Sequence, residues 1–217
     1  MRGCEIILGD ISFHTGNTYG LVQEIKNIET PTIQSYKVQV PGRNGLLNLT
    51  KALTGRVVYD NRNITLQYFA YGTRAELLAI RDLFCTLHGE TIDVVDDDTI
   101  DFYYRGECTV STTFKSNYLQ IVLNIDAEPF RVAQHYTTRY ISLTTTAKSV
   151  VIMYDGVAVA PTFSCTGTVT ITQGSKTKTI NTATTWEDTD FIIEHGTNTL
   201  EVSGSGTLTI KYKEAFI

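Results

Sequence analysis

The chain has 217 residues, of which 42% are apolar and 19% charged. That is enough apolar material for one large core or two small ones, and it argues against a disordered chain. The formal net charge is −5 and no dense run of Lys or Arg occurs, which argues against a nucleic-acid binder that works through a basic patch.

From Met1 to Asp10 the apolar run Ile6-Ile7-Leu8 is short and bounded by acidic residues. It does not read as a secretory signal, and no stretch has the length needed to cross a bilayer. The chain is therefore expected to be made and folded in a cytoplasm. From Lys37 to Arg62, Val38 and Val40 lead into Pro41-Gly42, and Leu46, Leu47, Leu49 and Leu53 follow among small and polar residues and Gly55. A projecting hairpin arm or loop fits this better than a regular core strand. Apolar residues on such an arm need a covering surface, and a neighbouring subunit would supply one.

Ile64, Leu66 and Tyr68 alternate with polar residues, the period of a half-buried strand. Between Thr73 and Gly89 the period changes. Leu77, Ile80, Phe84 and Leu87 share one helical face, widened by Leu83. Thr73 and Glu76 form a capping box, and Gly89 sits where a left-handed C-terminal cap is wanted. A helix over 73–88 is predicted, the one convincing helix of the chain. A single amphipathic helix must bury its stripe on a sheet, so the N-terminal half reads as a β-sandwich or sheet with one helix across it.

Strands are predicted at Ile92–Val95, Ile100–Tyr104, Cys108–Phe114 and Leu119–Ile125, the last two joined as a hairpin through Lys115-Ser116-Asn117. The pattern changes after Phe130-Arg131. His135 to Ile217 contains 20 Thr, a residue suited to strand positions because it is β-branched and polar. Short strands recur there between turn signals: Val150–Tyr154, Thr168–Thr172, Phe191–Glu194, Thr199–Val202 and Thr207–Tyr212. The expected domains are residues 1–134 and an all-β sandwich over 135–217.

Little in the chain points to chemistry. His14, His88, His135 and His195 are scattered, with no metal-ligand spacing. His88 reads as a helix C-terminal residue favoured by the dipole. Cys4, Cys85, Cys108 and Cys165 lack redox or zinc spacing and read as buried or half-buried small hydrophobes. No phosphate loop or nucleophile elbow is present. Asp96-Asp97-Asp98, with Asp93 or Asp101, offers either a cation site or a solvated turn. Trp186 with Asp188 and Asp190 offers either a carbohydrate contact, the ring stacking on a sugar, or a core tryptophan followed by an acidic turn. The sequons at Asn48 and Asn63 carry no meaning without secretion. No catalytic residue, metal site or cofactor is assigned, and the chain is expected not to be an enzyme.

Several features together resemble the distal tail proteins of long-tailed phages, especially those of Gram-positive hosts. They are Pro41-Gly42-Arg43-Asn44-Gly45 with Leu49-Thr50 and Leu53-Thr54-Gly55, then Val58-Tyr59-Asp60-Asn61-Arg62, and the strand ending Gln67-Tyr68-Phe69 with its following helix. The Gly89 turn and the run from Leu119 to Glu128-Pro129-Phe130-Arg131 complete the set, which spans about the first 131 residues. The resemblance implies a mainly β fold, with an N-terminal β-sandwich bearing one α-helix and a galectin-like or carbohydrate-module-like C-terminal β-sandwich facing outward. It implies a homo-hexameric ring at the virion tail tip. The ring would join the tail tube protein to a tail-associated lysin, fibre or receptor-binding protein, and DNA would pass through it as cargo. It also implies that the arm, about 37–62, clasps a neighbour, with Pro41, Gly42, Arg43, Asn44, Gly45, Leu46, Leu47, Leu49, Leu53, Tyr59 and Arg62 as interface residues. The alternatives are a carbohydrate-binding or adhesin module, for which Trp186, Asp188 and Asp190 would be the contact, and a tail-tube subunit.

Overall fold

A computed structural model describes residues 2–52 and 55–217. Leu53, expected on the arm, lies outside the described residues. The chain divides into two compact units, Met1–Arg131 and Val132–Ile217.

The first unit runs β1 (Cys4–Leu8), β2 (Ile11–His14), α1 (Thr15–Tyr19), β3 (Val22–Ile28), β4 (Lys37–Gln39), β5 (Leu46–Asn48), β6 (Arg62–Tyr71), α2 (Arg74–Cys85), β7 (Thr91–Asp96), β8 (Phe102–Phe114) and β9 (Tyr118–Ala127). Its main sheet has the order β2-β1-β7-β8-β9-β6-β3, with antiparallel neighbours throughout. Alternation sets the inner face. Ile64, Leu66, Tyr68 and Ala70 of β6 point inward beside Leu119, Ile121, Leu123, Ile125 and Ala127 of β9. Gly106 lies opposite Ala127, where an added Cβ would meet backbone at 2.5 Å, so glycine permits the close pairing.

The sheet curls until its β3 edge meets β1 and β7. Lys26 Nζ on β3 donates to Asp96 Oδ1 at the end of β7 over 2.9 Å, and Gln23 Nε2 reaches Cys4 Sγ at 3.9 Å. One continuous sheet thus encloses its own core in the manner of a sandwich, and α2 helps to close it. Leu77 and Phe84 of α2 are buried, with Ile80 and Leu83 packed against the core. Phe84 meets Phe13 edge-on at 5.5 Å.

The capping box is formed: Glu76 N donates to Thr73 Oγ1 at 3.4 Å and Thr73 N to Glu76 Oε2 at 2.7 Å. The helix is shorter than predicted. After Cys85 the bonds tighten to three-residue turns, Leu87 N to Phe84 O and His88 N to Cys85 O. Leu87 stays buried, and Gly89 turns at φ +81°. His88 does not serve the helix dipole: its Nδ1 accepts from Val110 N of β8 at 3.0 Å.

A second helix, α1, was not predicted. His14 caps it, its Nδ1 accepting from Gly16 N and Asn17 N, while Nε2 lies 2.9 Å from Asp97 Oδ1. Three further expectations need correction. Cys85 is exposed, because it ends α2 on the solvent side. Ile100 is in the turn before β8 and 62% exposed. Phe191–Glu194 is no strand: Ile193 forms an isolated bridge with Val159. There Asn198 accepts from Glu194 N and donates to Glu194 O, spending the bonds a ladder would use.

The short strand β10 (Arg131–Ala133) spans the division. The second unit continues with β11 (Thr137–Ser142), β12 (Lys148–Tyr154), β13 (Thr162–Cys165), β14 (Val169–Gln173), β15 (Lys176–Ile180), β16 (Thr184–Glu187), β17 (Gly196–Gly204), β18 (Thr207–Tyr212) and β19 (Ala215–Phe216). Two four-stranded sheets, β11-β18-β13-β16 and β12-β17-β14-β15, form a sandwich. Ile141, Phe163, Leu208 and Ile210 of one sheet and Ile152, Ile171, Leu200 and Val202 of the other share its core. Tyr154 Oη accepts from Ala215 N and donates to Ala215 O, pinning the C-terminal segment.

Candidate functional site

Between β3 and β6 the chain leaves the sheet and returns as an arm. A ladder holds its base: Asp60 N donates to Thr32 O and Gln34 N to Val58 O, each at 2.9 Å, and Ile33 bridges Tyr59. Side chains reinforce it, Thr32 Oγ1 and Gln34 Nε2 both bonding the Asp60 carboxylate at 3.1 and 2.7 Å. Further out, β4 and β5 form a separate two-stranded hairpin with pairs Lys37↔Asn48, Val38↔Leu47 and Gln39↔Leu46.

The tip follows from sequence. Arg43 N bonds Val40 O at 3.1 Å. Pro41 fixes the first central residue of that turn and Gly42 takes φ +79° at the second, the pattern of a type II turn. Gly45, also at φ +79°, sends the chain into β5. Pro41, Gly42, Arg43, Asn44 and Gly45 therefore make an exposed tip.

Beyond Pro31 no described residue of the arm up to Asn61 is buried. Leu46 is 56% exposed and Tyr36 63%; Leu47 and Leu49 are half-buried. An isolated two-stranded hairpin is marginal in water, and this one shows leucine to solvent.

Two expected interface residues belong to the fold as well. Tyr59 sits at the arm's base, its ring edge-on to Phe130 at 5.7 Å. Arg62 is a correction: it opens β6 only 5% exposed. Its Nε donates to Pro129 O at 3.0 Å and its guanidinium lies 5.2 Å from the Tyr104 ring. Burial lowers the guanidinium's pKa from its usual value.

The aspartate run is not a simple solvated turn. Asp96 ends β7 buried against Lys26. Asp97 Oδ2 accepts from Gly3 N at 2.7 Å while Oδ1 meets His14. Asp98 pairs with Lys26 and Arg2, and Asp93 holds Arg105 through two bonds of 2.7 and 2.8 Å. The Lys26 contact holds Asp98 below the usual carboxylate range. Burial works against the Lys26 charge, but its bonds to Asp98 and Asp96 raise it above its ordinary value. Asp93, Asp96 and Asp98 are committed to cations of the chain, and Asp97 to the Gly3 N–H and the His14 ring. Among the described residues no group of three or more His, Cys, Asp or Glu side chains is placed to hold a metal ion, and no helix is long and apolar enough to cross a membrane.

Trp186 of β16 stacks on Phe163 of β13, centroids 5.5 Å apart and planes 19° from parallel. One indole face is therefore given to the core. Asp188 bonds Lys178 at 2.6 Å and Asp190 reaches Lys176 at 3.4 Å. The Lys178 bond keeps Asp188 below the usual carboxylate range.

A curled, helix-closed sheet with an emergent hairpin, followed by a β-sandwich, is a Dit-like fold. The chain is similar to the solved Dit protein (gp 19.1) of phage SPP1, with a TM-score of 0.69 over 99% of each chain at 14% sequence identity. That protein is described as a paradigm of the hub adsorption apparatus in phages that infect Gram-positive bacteria. At this identity the likeness is one of fold. No family model and no curated protein matches the chain in sequence.

Proposed function

We propose that the chain is a structural subunit of a phage tail hub. Six copies close into a ring at the tail tip, which joins the tail tube to baseplate, fibre or receptor-binding proteins and lets DNA pass. The observation that carries this reading is the arm: a hairpin with exposed Leu46 and Tyr36 and, among the described residues, no core of its own. Such a surface needs a partner, and a head-to-tail ring gives every copy one arm to extend and one surface to receive it. The fold likeness supports the phage setting. The second unit is the outward module that anchors neighbouring tail proteins, and the net charge of −5 suits a channel that does not hold phosphates.

The test is deletion of residues 42–55 from the full chain, co-produced with its tail neighbours and sized by mass photometry. The intact chain is expected as a ring of six. The shortened chain is expected to keep its circular dichroism and run as a monomer. Rings formed without the arm sink the reading.

A further inference from the structure

The arm differs in charge from the rest of the molecule. Residues 30–61 contain Lys37, Arg43, Lys51 and Arg56 and a single acidic residue, Asp60 at the base, a charge of +3. The whole chain carries −5, so the residues outside the arm carry −8. Lys37, Arg43 and Lys51 are exposed, and among the described residues none of the three makes an ion pair.

The body, for its part, leaves carboxylates unneutralised. Glu107 and Asp126 lie directly opposite each other across β8 and β9, both exposed. Like charges in that position destabilise a strand pair. Lys26 and Arg105, by contrast, are already engaged by Asp96, Asp98 and Asp93. An extended basic element thus projects from an acidic body.

We infer that the arm is an electrostatically guided docking element whose partner is the acidic body of a second copy of this chain. This rests on the hub reading and adds how the copies find each other. Its apolar residues, Leu46 and Tyr36 among them, supply the buried contact. Its lysines and arginine speed encounter and set direction, because opposite net charges raise association rates and repel a wrong body-to-body approach. The same charges on every copy make arm-to-arm and body-to-body pairing unfavourable, leaving arm-to-body, the head-to-tail contact that closes a ring.

The experiment compares the full chain with the triple variant Lys37→Gln, Arg43→Gln, Lys51→Gln, following ring formation by stopped-flow light scattering from low to high salt. Each protein's melting curve is recorded first. All three side chains are exposed, so the variant is expected to melt as the parent does. Parental assembly is expected to slow by roughly tenfold as salt rises, the behaviour of steered association. The variant is expected to start about that much slower and to change little with salt. If the variant assembles at the parental rate with the parental salt dependence, the inference is overturned while the hub reading stands. If deletion of residues 42–55 also leaves assembly intact, the hub reading falls with it. Retention of duplex DNA by the parent but not the variant, at equal assembly rates, would make nucleic acid the arm's partner and overturn the inference too.

Discussion

The four cysteines show how much burial alone decides. Cys4, Cys108 and Cys165 are buried and Cys85 is exposed at the end of α2. Burial pushes the Cys4 thiol up to about 11 and the Cys108 thiol up to about 12. A disulfide reagent that needs thiolate is therefore expected to modify one sulfur quickly in the native chain and the other three only in denaturant. Raising the pH to 9 should not unlock Cys4 or Cys108. Unfolded thiols ionise near 9.0 and the folded pair resists until about 11 or 12, so stability falls as pH rises above 9. Timed thiol release gives the reactivity, and a Cys85→Ser variant losing the fast phase identifies it. Sequence spacing indicated small hydrophobes for all four. It could not tell that the stripe of α2 turns away at residue 85, because Cys85 stands next to Phe84, which is fully buried.

At the scale of elements, periodicity carried most of what could be read. The inward sets of β6 and β9 and the stripe of α2 appear in the chain as written, because burial on one face forces a period on sequence. What escaped were elements whose determinants lie elsewhere. Helix α1 is five residues, TGNTY, with no stripe; its cap is a histidine held by Asp97, which is distant in sequence. Strand β15 reads Lys-Thr-Lys-Thr-Ile, an edge whose exposed residues alternate weakly. Asp96 and Asp98, at and just after the end of β7, resembled a turn because Lys26, their partner, is seventy residues or more away. That contact ties the β3 edge of the curled sheet to β7, so Lys26→Met should loosen the whole first unit. Lys26 is partly exposed and Asp96 nearly buried. Stranding that carboxylate should cost about 2–3 kcal/mol, less than for a fully buried pair, read from urea unfolding. Asp98 is depressed, so its share is present above its ordinary 3.8 and lost as pH falls through its lower value. Lys26 is raised, so its share is present below 10.5 and lost as pH rises through its higher value. The deficit of the variant should be flat between these limits and shrink outside them.

The molecule as a whole spends its apolar residues in two places that fold for themselves and in one that does not. The cores of the two units draw on separate stretches of chain, which is why the change in pattern after Arg131 was visible in the sequence. The arm was visible for the opposite reason: leucines at Leu46, Leu47 and Leu49 followed neither a strand nor a helix period, and turn residues surrounded them. Arg62 stood in the same run, yet it closes on Pro129 and Tyr104 within its own unit. A residue that serves the fold and one that serves assembly respond differently to truncation. Tyr36→Ser with Leu46→Ser removes two side chains that are more than half exposed, so the melting of the isolated chain should stay within about 0.5 kcal/mol of the parent. The same double change removes apolar contact that only an assembled ring would bury, so assembly should weaken by at least about tenfold, as expected for losing two apolar anchors of an interface. Arg62→Ala should reverse the pattern, lowering the melting temperature of the free chain because it removes a nearly buried side chain and leaves the part-buried Pro129 carbonyl without its donor. Equal losses of stability and assembly in both variants would mean that the arm belongs to the core, and the division of labour drawn from its exposure would be wrong.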